Sequence, residues 1–287
     1  MIIIYPNMDR YSPPAAIHSL TPWLHQAWQE VPPGIKEEAK AGLKRYGGND
    51  PLISVVMIAR NEAEHIFPAL LGFARMDLSH ATELFVVDNG STDATPAILK
   101  DLGVKVVQED TPGWTPARNA GLGAARGDIV LSADSDNLYP SQWINQLSEP
   151  LRTSGKTVAT CSEYCFYKID QRYPLSLHLY QYLRYFNNLL RHPKRPHLNC
   201  LGGSMGFKRA AALEVGGYMA SGRGEDGELA YRLARLGRIV YVHQKGALSY
   251  ASLRSVFKDG DLTKAFWERF KKHMARLFTY LTPQKNG

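Results

Sequence analysis

The sequence predicts an α/β fold, a mainly parallel sheet flanked by helices, with an N-terminal extension before it and an amphipathic helix after it. Three observations carry this. From Pro51 onward, short apolar runs alternate with stretches of helical periodicity, the pattern of parallel strands joined by right-handed crossovers. Before Pro51, the chain is cut into pieces by Pro13-Pro14, Pro32-Pro33-Gly34 and Gly47-Gly48. Near the end, Phe266, Trp267, Phe270, Met274, Leu277, Phe278 and Leu281 recur at helical spacing with lysines and arginines opposite. The expected division is an extension over 1–50, a main domain over 51–250 and a basic amphipathic helix over 251–287.

The elements follow in order. In the extension, helices are expected over 22–30 and 35–46, packed over the domain or against a second subunit. A strand over 53–58 runs into the polar turn Arg60-Asn61-Glu62 and a helix through Phe73. A second strand, 83–88, ends in Asn89-Gly90-Ser91-Thr92-Asp93, with a helix to Leu102, and 104–108 is a third strand. Thr115-Pro116 reads as N-cap and first residue of a helix that stops at Gly127. The glycines at 121, 123 and 127 miss the dinucleotide-binding spacing by one and lie within that helix rather than in a turn after a strand. A buried strand over 129–131 precedes Asp134-Ser135-Asp136. Beyond it come an aromatic-rich helix over 175–190, the glycine-rich 202–207, a helix over 228–236 and a strand over 238–242.

Composition narrows the function classes. With 44% apolar and 21% charged residues in 287, the chain suits one large soluble α/β domain or two small ones. Three cysteines argue against a disulfide scaffold and for a reducing, cytoplasmic setting. The apolar start is too short for a signal-peptide core, and no apolar run approaches a membrane span. The net charge of +7 suggests anionic partners, but eight Lys/Arg against three acids over 252–287 supply most of it. The remainder is nearly balanced, which weighs against nucleic acid. The basic helix suits docking on the domain, a homodimer, or peripheral contact with the inner face of a membrane.

Chemistry concentrates at strand ends. In an extended segment residues i and i+2 share a side, so Asp134 and Asp136 face one crevice at the carboxyl end of a strand, where open α/β sheets bind ligands. Two carboxylates so close call for a compensating cation, and a hard divalent metal carrying a nucleotide diphosphate supplies one. Arg60-Asn61-Glu62 and Asp88-Asn89-Gly90-Ser91 end two further strands, and Arg118-Asn119 opens a helix. Each cluster alone reads equally as a turn or cap; in register with the strands they line a common pocket. Cys161, Cys165, His197 and Cys200 lack the spacings of common zinc sites.

The order A-R-N-E, V-D-N-G-S-T-D, A-R-N-A-G, D-S-D, G-G-S-M-G-F-K-R, V-G-G-Y and E-D-G-E-L resembles the large inverting glycosyltransferase family with the GT-A fold, to which cellulose and chitin synthases belong. The likeness runs from Pro51 to His243 and implies a Rossmann-like sheet with a nucleotide-sugar half over 51–140 and an acceptor half over 141–250. It implies that Glu62 and Asp88 hold the base and ribose, Asp88 accepting from a uracil-type N–H, and that Arg118 and Asn119 flank the nucleotide. Asp134 contacts ribose or metal on this likeness, and Asp136 is the principal ligand of Mn²⁺ or Mg²⁺, with His243 completing the metal site. Ala59, Asn89, Ser135 and Gly203 round out the implied nucleotide-sugar set. Ala59 stands where the family's first strand often ends in proline, which leaves the donor base open. The segment around Gly203 lies beneath the donor sugar on the same likeness.

Glu225 and Asp226 precede the 228–236 helix, where the macrodipole stabilises carboxylates by about 0.3 to 1 kcal/mol. The bland role for such a pair is a cap. The sharper one is general base, taking the proton from an attacking acceptor hydroxyl in a single inverting displacement. Spacing does not separate the two acids, and the likeness favours Asp226. The expected function is metal-dependent, inverting transfer of a sugar from a nucleotide-diphospho-sugar, a UDP-sugar above all, to a glycan or lipid-linked acceptor. The alternatives are a sugar-phosphate nucleotidyltransferase, which needs a glycine-rich basic loop where Arg60-Asn61-Glu62 stands, and a catalytically silent binding module of the same fold.

Overall fold

The computed structural model describes residues 11–167, 175–219 and 224–252. In chain order these form α1 (Ala15–His18), α2 (Pro33–Leu43), β1 (Ile53–Ala59), α3 (Ile66–Ala74), β2 (Thr82–Asp88), α4 (Thr95–Leu102), β3 (Lys105–Gln108), α5 (Trp114–Ala124) and β4 (Ile129–Asp134). There follow β5 (Asn137–Leu138), α6 (Trp143–Thr153), β6 (Thr157–Cys161), β7 (Tyr164–Tyr167), α7 (Leu175–Arg191), β8 (Met205–Lys208), α8 (Arg209–Glu214), α9 (Glu225–Leu233), β9 (Arg238–Tyr241) and β10 (Ser249–Ser252). Seven strands make a mixed sheet in the order β3-β2-β1-β4-β8-β6-β9, and β5-β10-β7 make a small second sheet.

The first four neighbours of the large sheet pair in parallel. Both faces of β1, β2 and β4 are covered, which is why these strands read as near-continuous apolar runs. β8 breaks the pattern by running antiparallel to both β4 and β6. Register aligns the working ends: Ala59 lies opposite Asp88, and Ile58 opposite Asp134. Three strands separated widely in sequence therefore stop at one rim.

Residues 11–46 share the core of this sheet. Tyr11, Ile17, Leu20, Val31, Ala39, Leu43 and Tyr46 are buried in one cluster with side chains of β1, α3 and α6. At Gly42, a Cβ would lie 2.3 Å from the Ala74 carbonyl oxygen, so α2 and α3 meet backbone to backbone. The Tyr46 hydroxyl donates to Phe73 O (2.7 Å), and Arg45 Nη2 to Ala74 O and Met76 O (2.7 and 2.9 Å), closing the frayed end of α3.

Several boundaries depart from the sequence expectation: β4 runs on to Asp134, and residues 135–136 turn rather than stay extended, so Asp134 and Asp136 reach the cleft through a turn. The helix expected over 22–30 is two 3₁₀ turns, Thr21–Trp23 and Trp28–Glu30, because His25 sits at φ 63° and interrupts them. α5 is capped by Gly113 rather than Thr115, at φ 134°, and ends at Ala124 before Gly127. α9 starts at Glu225 rather than Glu228, after Gly224 in the left-handed region (φ 108°), and closes at Leu233. The amphipathic helix expected over 251–287 lies outside the described residues, apart from residues 251 and 252 in β10. Among the described residues, no helix is long and apolar enough to cross a membrane.

Candidate functional site

The carboxyl ends of β1 and β4 and the first turns of α5 and α9 surround an open cleft of about 1120 Å³. Ala59, Arg60, Glu62, Asn89, Arg118, Asp134, Ser135, Asp136, Glu225 and Asp226 all line it. So do Trp114, Tyr164 and Tyr231, which the sequence did not single out for chemistry, together with Gly202 of the glycine-rich segment and His197, weighed above only for zinc.

Backbone-to-side-chain bonds tie the strand-end loops together. Asn61, at φ 55°, accepts from Thr92 N–H (2.8 Å), and its own N–H donates to Ser91 Oγ (3.0 Å). The Glu62 and Ala63 N–H groups donate to Thr95 Oγ1 (2.9 Å) and Asp93 Oδ2 (3.0 Å). Asn89 donates to Glu109 O and Thr111 O (2.9 and 2.7 Å) and accepts from Gly113 N–H (2.8 Å), which sets the entry to α5. Asp88 is buried and holds its own turn, accepting from Ser91 N–H (3.1 Å).

Arg118 joins the two walls. Its guanidinium is 4% exposed; Nη1 donates to Ser132 Oγ and Nη2 to Asp134 Oδ1 (2.9 Å). Nε stands 3.7 Å from Asp226 Oδ1, and neither of those two buried atoms has a hydrogen-bond partner among the described residues. Burial pushes the Asp226 carboxyl up to about 6; Arg118 pulls the other way, and Glu225 and Asp134 add to the rise. Gly202 makes the approach possible, since a Cβ there would lie 2.0 Å from Arg118 Nη2 and 2.7 Å from Asp226 Oδ2.

Gly203 sits behind Asp134 in the same way: a Cβ would lie 2.3 Å from Asp134 Oδ2, which also accepts from Asn137 Nδ2 (3.3 Å). The missing Cβ leaves room for the Asp134 carboxylate itself, and two hard carboxylates one residue apart on the cleft wall are of the chemical type that suits a divalent cation. His243 is not among the residues that line the cleft. The chain leaves the sheet after Tyr241, and the exposed His243 ring stands edge-on to Tyr241 and Tyr185 (4.7 and 6.1 Å). No group of three or more His, Cys, Asp or Glu arranged to hold a metal occurs among the described residues. Asn119 is also turned away from the cleft; its amide pairs with the backbone N–H and carbonyl of Tyr218 (2.9 and 2.8 Å) and fastens α5 to the turn after α8.

Residues 54–216 match the family model described as glycosyl transferase family 2. The chain is 37% identical over 103 residues to a TPR repeat-containing protein of Synechococcus elongatus, a stretch covering 34% of this chain and 25% of that one. It is 33% identical over 113 residues to the succinoglycan biosynthesis protein ExoO of Rhizobium meliloti, covering 38% and 32%. The match thus spans about a quarter to a third of these relatives' length. Among solved structures, the mannosyltransferase PcManGT from Pyrobaculum calidifontis, in complex with GDP-Man and Mn²⁺, is similar at TM-score 0.56 and 22% identity, over 92% of this chain and 76% of that one. Glucosyl-3-phosphoglycerate synthase from Mycobacterium tuberculosis, in complex with Mg²⁺ and UDP, is similar at TM-score 0.50 and 24% identity, over 76% and 73%. Both likenesses are of fold.

Proposed function

The chain belongs to glycosyl transferase family 2, and from that premise we propose that it moves a sugar from a nucleotide-diphospho-sugar, UDP-linked, to a hydroxyl of a glycan or lipid-linked acceptor, inverting the anomeric carbon. One juxtaposition carries this: Asp134, Asp136 and Asp226 come from two distant parts of the chain and line a single cleft, with Arg118 set between Asp134 and Asp226.

Asp226 acts as general base. Its carboxylate is buried and carries an ionisation near 6, so it is charged at neutral pH yet basic enough to accept the proton of an attacking hydroxyl. Arg118 holds the carboxylate in place without donating to Oδ1, which leaves that oxygen for the acceptor proton. Glu225 lines the cleft beside it and raises its basicity by charge. On the other wall, Asp136 and Asp134 would hold Mn²⁺ or Mg²⁺ beside the diphosphate. A cation bound there neutralises charge that grows on the leaving group. Glu62 and Asn89 border the nucleoside, with Asp88 buried behind them and outside the cleft lining, and Arg60 and Ser135 border the phosphates.

Thermal stabilisation by UDP- and GDP-sugars with and without Mn²⁺ tests the donor half; no shift with any of them sinks it. Asp226→Asn keeps that shift and slows nucleotide release with acceptor by at least about 100-fold. Turnover like that of the native protein in this variant removes the base assignment.

A further inference from the structure

One cleft-lining side chain outside the groups assigned above is held by a buried polar chain that leads back to the N-terminal segment. Tyr164, on β7, lines the cleft, and its carbonyl accepts from Arg184 Nη2. The Arg184 guanidinium also covers the Tyr164 ring, 5.4 Å from its centre. Arg184 is paired with the buried carboxylate of Glu163 (3.6 Å). Both Glu163 oxygens lie within hydrogen-bond distance of the Tyr11 hydroxyl, at 3.2 and 3.1 Å, with the Gln181 carbonyl a further acceptor at 3.2 Å. Tyr11 is fully buried, edge-on to Tyr182 (5.0 Å), and its carbonyl accepts from the Cys165 thiol (3.4 Å).

The same segment backs a second cleft residue. His25 stands edge-on to the buried His65 (5.3 Å), whose Nδ1 lies 3.5 Å from Glu62 Oε2. A surface appendage has no reason to supply either contact. A buried Glu–Arg pair, by contrast, holds its geometry only while its remaining lone pairs are satisfied, and Tyr11 supplies that donor.

We propose that residues 11–46 form part of the donor site, where Tyr11, through Glu163 and Arg184, fixes Tyr164 so that its hydroxyl bonds the diphosphate of the nucleotide. This rests on the donor reading above. Tyr164 shares the cleft with Asp134 and Asp136, the carboxylates assigned to the diphosphate and its cation. Burial, and then the charge of Asp134, hold its ionisation up to about 12 against the pull of Arg184, so it remains a hydroxyl donor. Tyr164 is a binding residue on this account, and Tyr11 a positioning residue.

The test is calorimetric titration of the full chain with UDP or GDP and Mn²⁺, using whichever nucleotide the native protein binds. Tyr164→Phe weakens binding roughly tenfold, the worth of one bond to a charged group. Tyr11→Phe weakens it by about threefold, and the double variant binds no worse than Tyr164→Phe alone, because Tyr11 acts only through Tyr164. Equal affinity of Tyr164→Phe and native protein overturns the proposal, as does full additivity in the double variant. Failure of the native protein to bind any nucleoside diphosphate sinks the donor reading instead, and this proposal with it. Melting curves of the two single variants near the native one keep the titrations interpretable.

Discussion

The two walls of the cleft are built by opposite means. The donor wall is a set of loops that follow β1, β2 and β3, tied by short polar bonds between neighbouring strand ends, such as Asn61 to Thr92 and Asn89 to Gly113. Each loop carries its own capping groups, and sequence neighbours do much of the work. The acceptor wall is assembled from remote pieces: Arg118 from α5, Gly202 before β8 and Asp226 from α9 meet at a point where one methyl group has no room. The first wall should tolerate single changes gradually. The second should fail abruptly.

Gly202→Ala is the sharpest way to break that contrast. The added Cβ falls 2.0 Å from Arg118 Nη2 and 2.7 Å from Asp226 Oδ2, so the guanidinium and the carboxylate must shift. Transfer should drop by about 100-fold, as expected when a base is moved by an ångström, with nucleotide binding retained. A loss of only two- or threefold, read by nucleotide release, shows that the acceptor wall yields as softly as the donor wall.

Arg118→Met probes the same wall through pH. Asp226 works as a base only when ionised, so native activity is present above about pH 6 and lost as pH falls through it. Arg118 holds that ionisation down; removing it raises the value, and the acid limb of the rate profile moves to higher pH by about one unit. An unmoved limb separates Arg118 from Asp226. Stability should fall as well, by roughly 2 kcal/mol, because the mostly buried Asp226 and the one-third-exposed Asp134 lose their counter-ion.

Asn61→Ala is the mildest. It places alanine at φ 55° and removes the acceptor for Thr92 N–H, costing about 1–2 kcal/mol by thermal melting. Asn61→Gly, which suits the left-handed backbone, should recover part of that. Catalytic rate should change less in either variant than in Gly202→Ala; a reverse ranking removes the contrast between the walls.

The donor half was readable because its signals are local. β1, β2 and β4 are buried on both faces, so their apolar runs stand out, and each ends in polar residues within a few positions. The helix starts were less legible: Gly113 and Gly224 cap α5 and α9 with positive-φ backbone, and a glycine does not announce which neighbouring residue begins the helix. β6 drew no expectation as a strand; β8, antiparallel to β4 and β6, falls in the glycine-rich 202–207, which reads equally as a bulged strand or as backbone open to a ligand. His243 follows its strand in the order the family pattern suggested, yet it is not among the residues that line the cleft.

Sequence alone determined the alternating α/β order, the polar strand ends and the chemical types available, because periodicity and capping act over a few residues. Only the tertiary structure decided that Arg118 stands between Asp134 and Asp226, that glycine at 202 is what lets it, and that Tyr11 closes a buried charge pair behind the cleft. Those contacts join residues 16 to 152 positions apart, and close packing in three dimensions, rather than any spacing along the chain, chooses such partners.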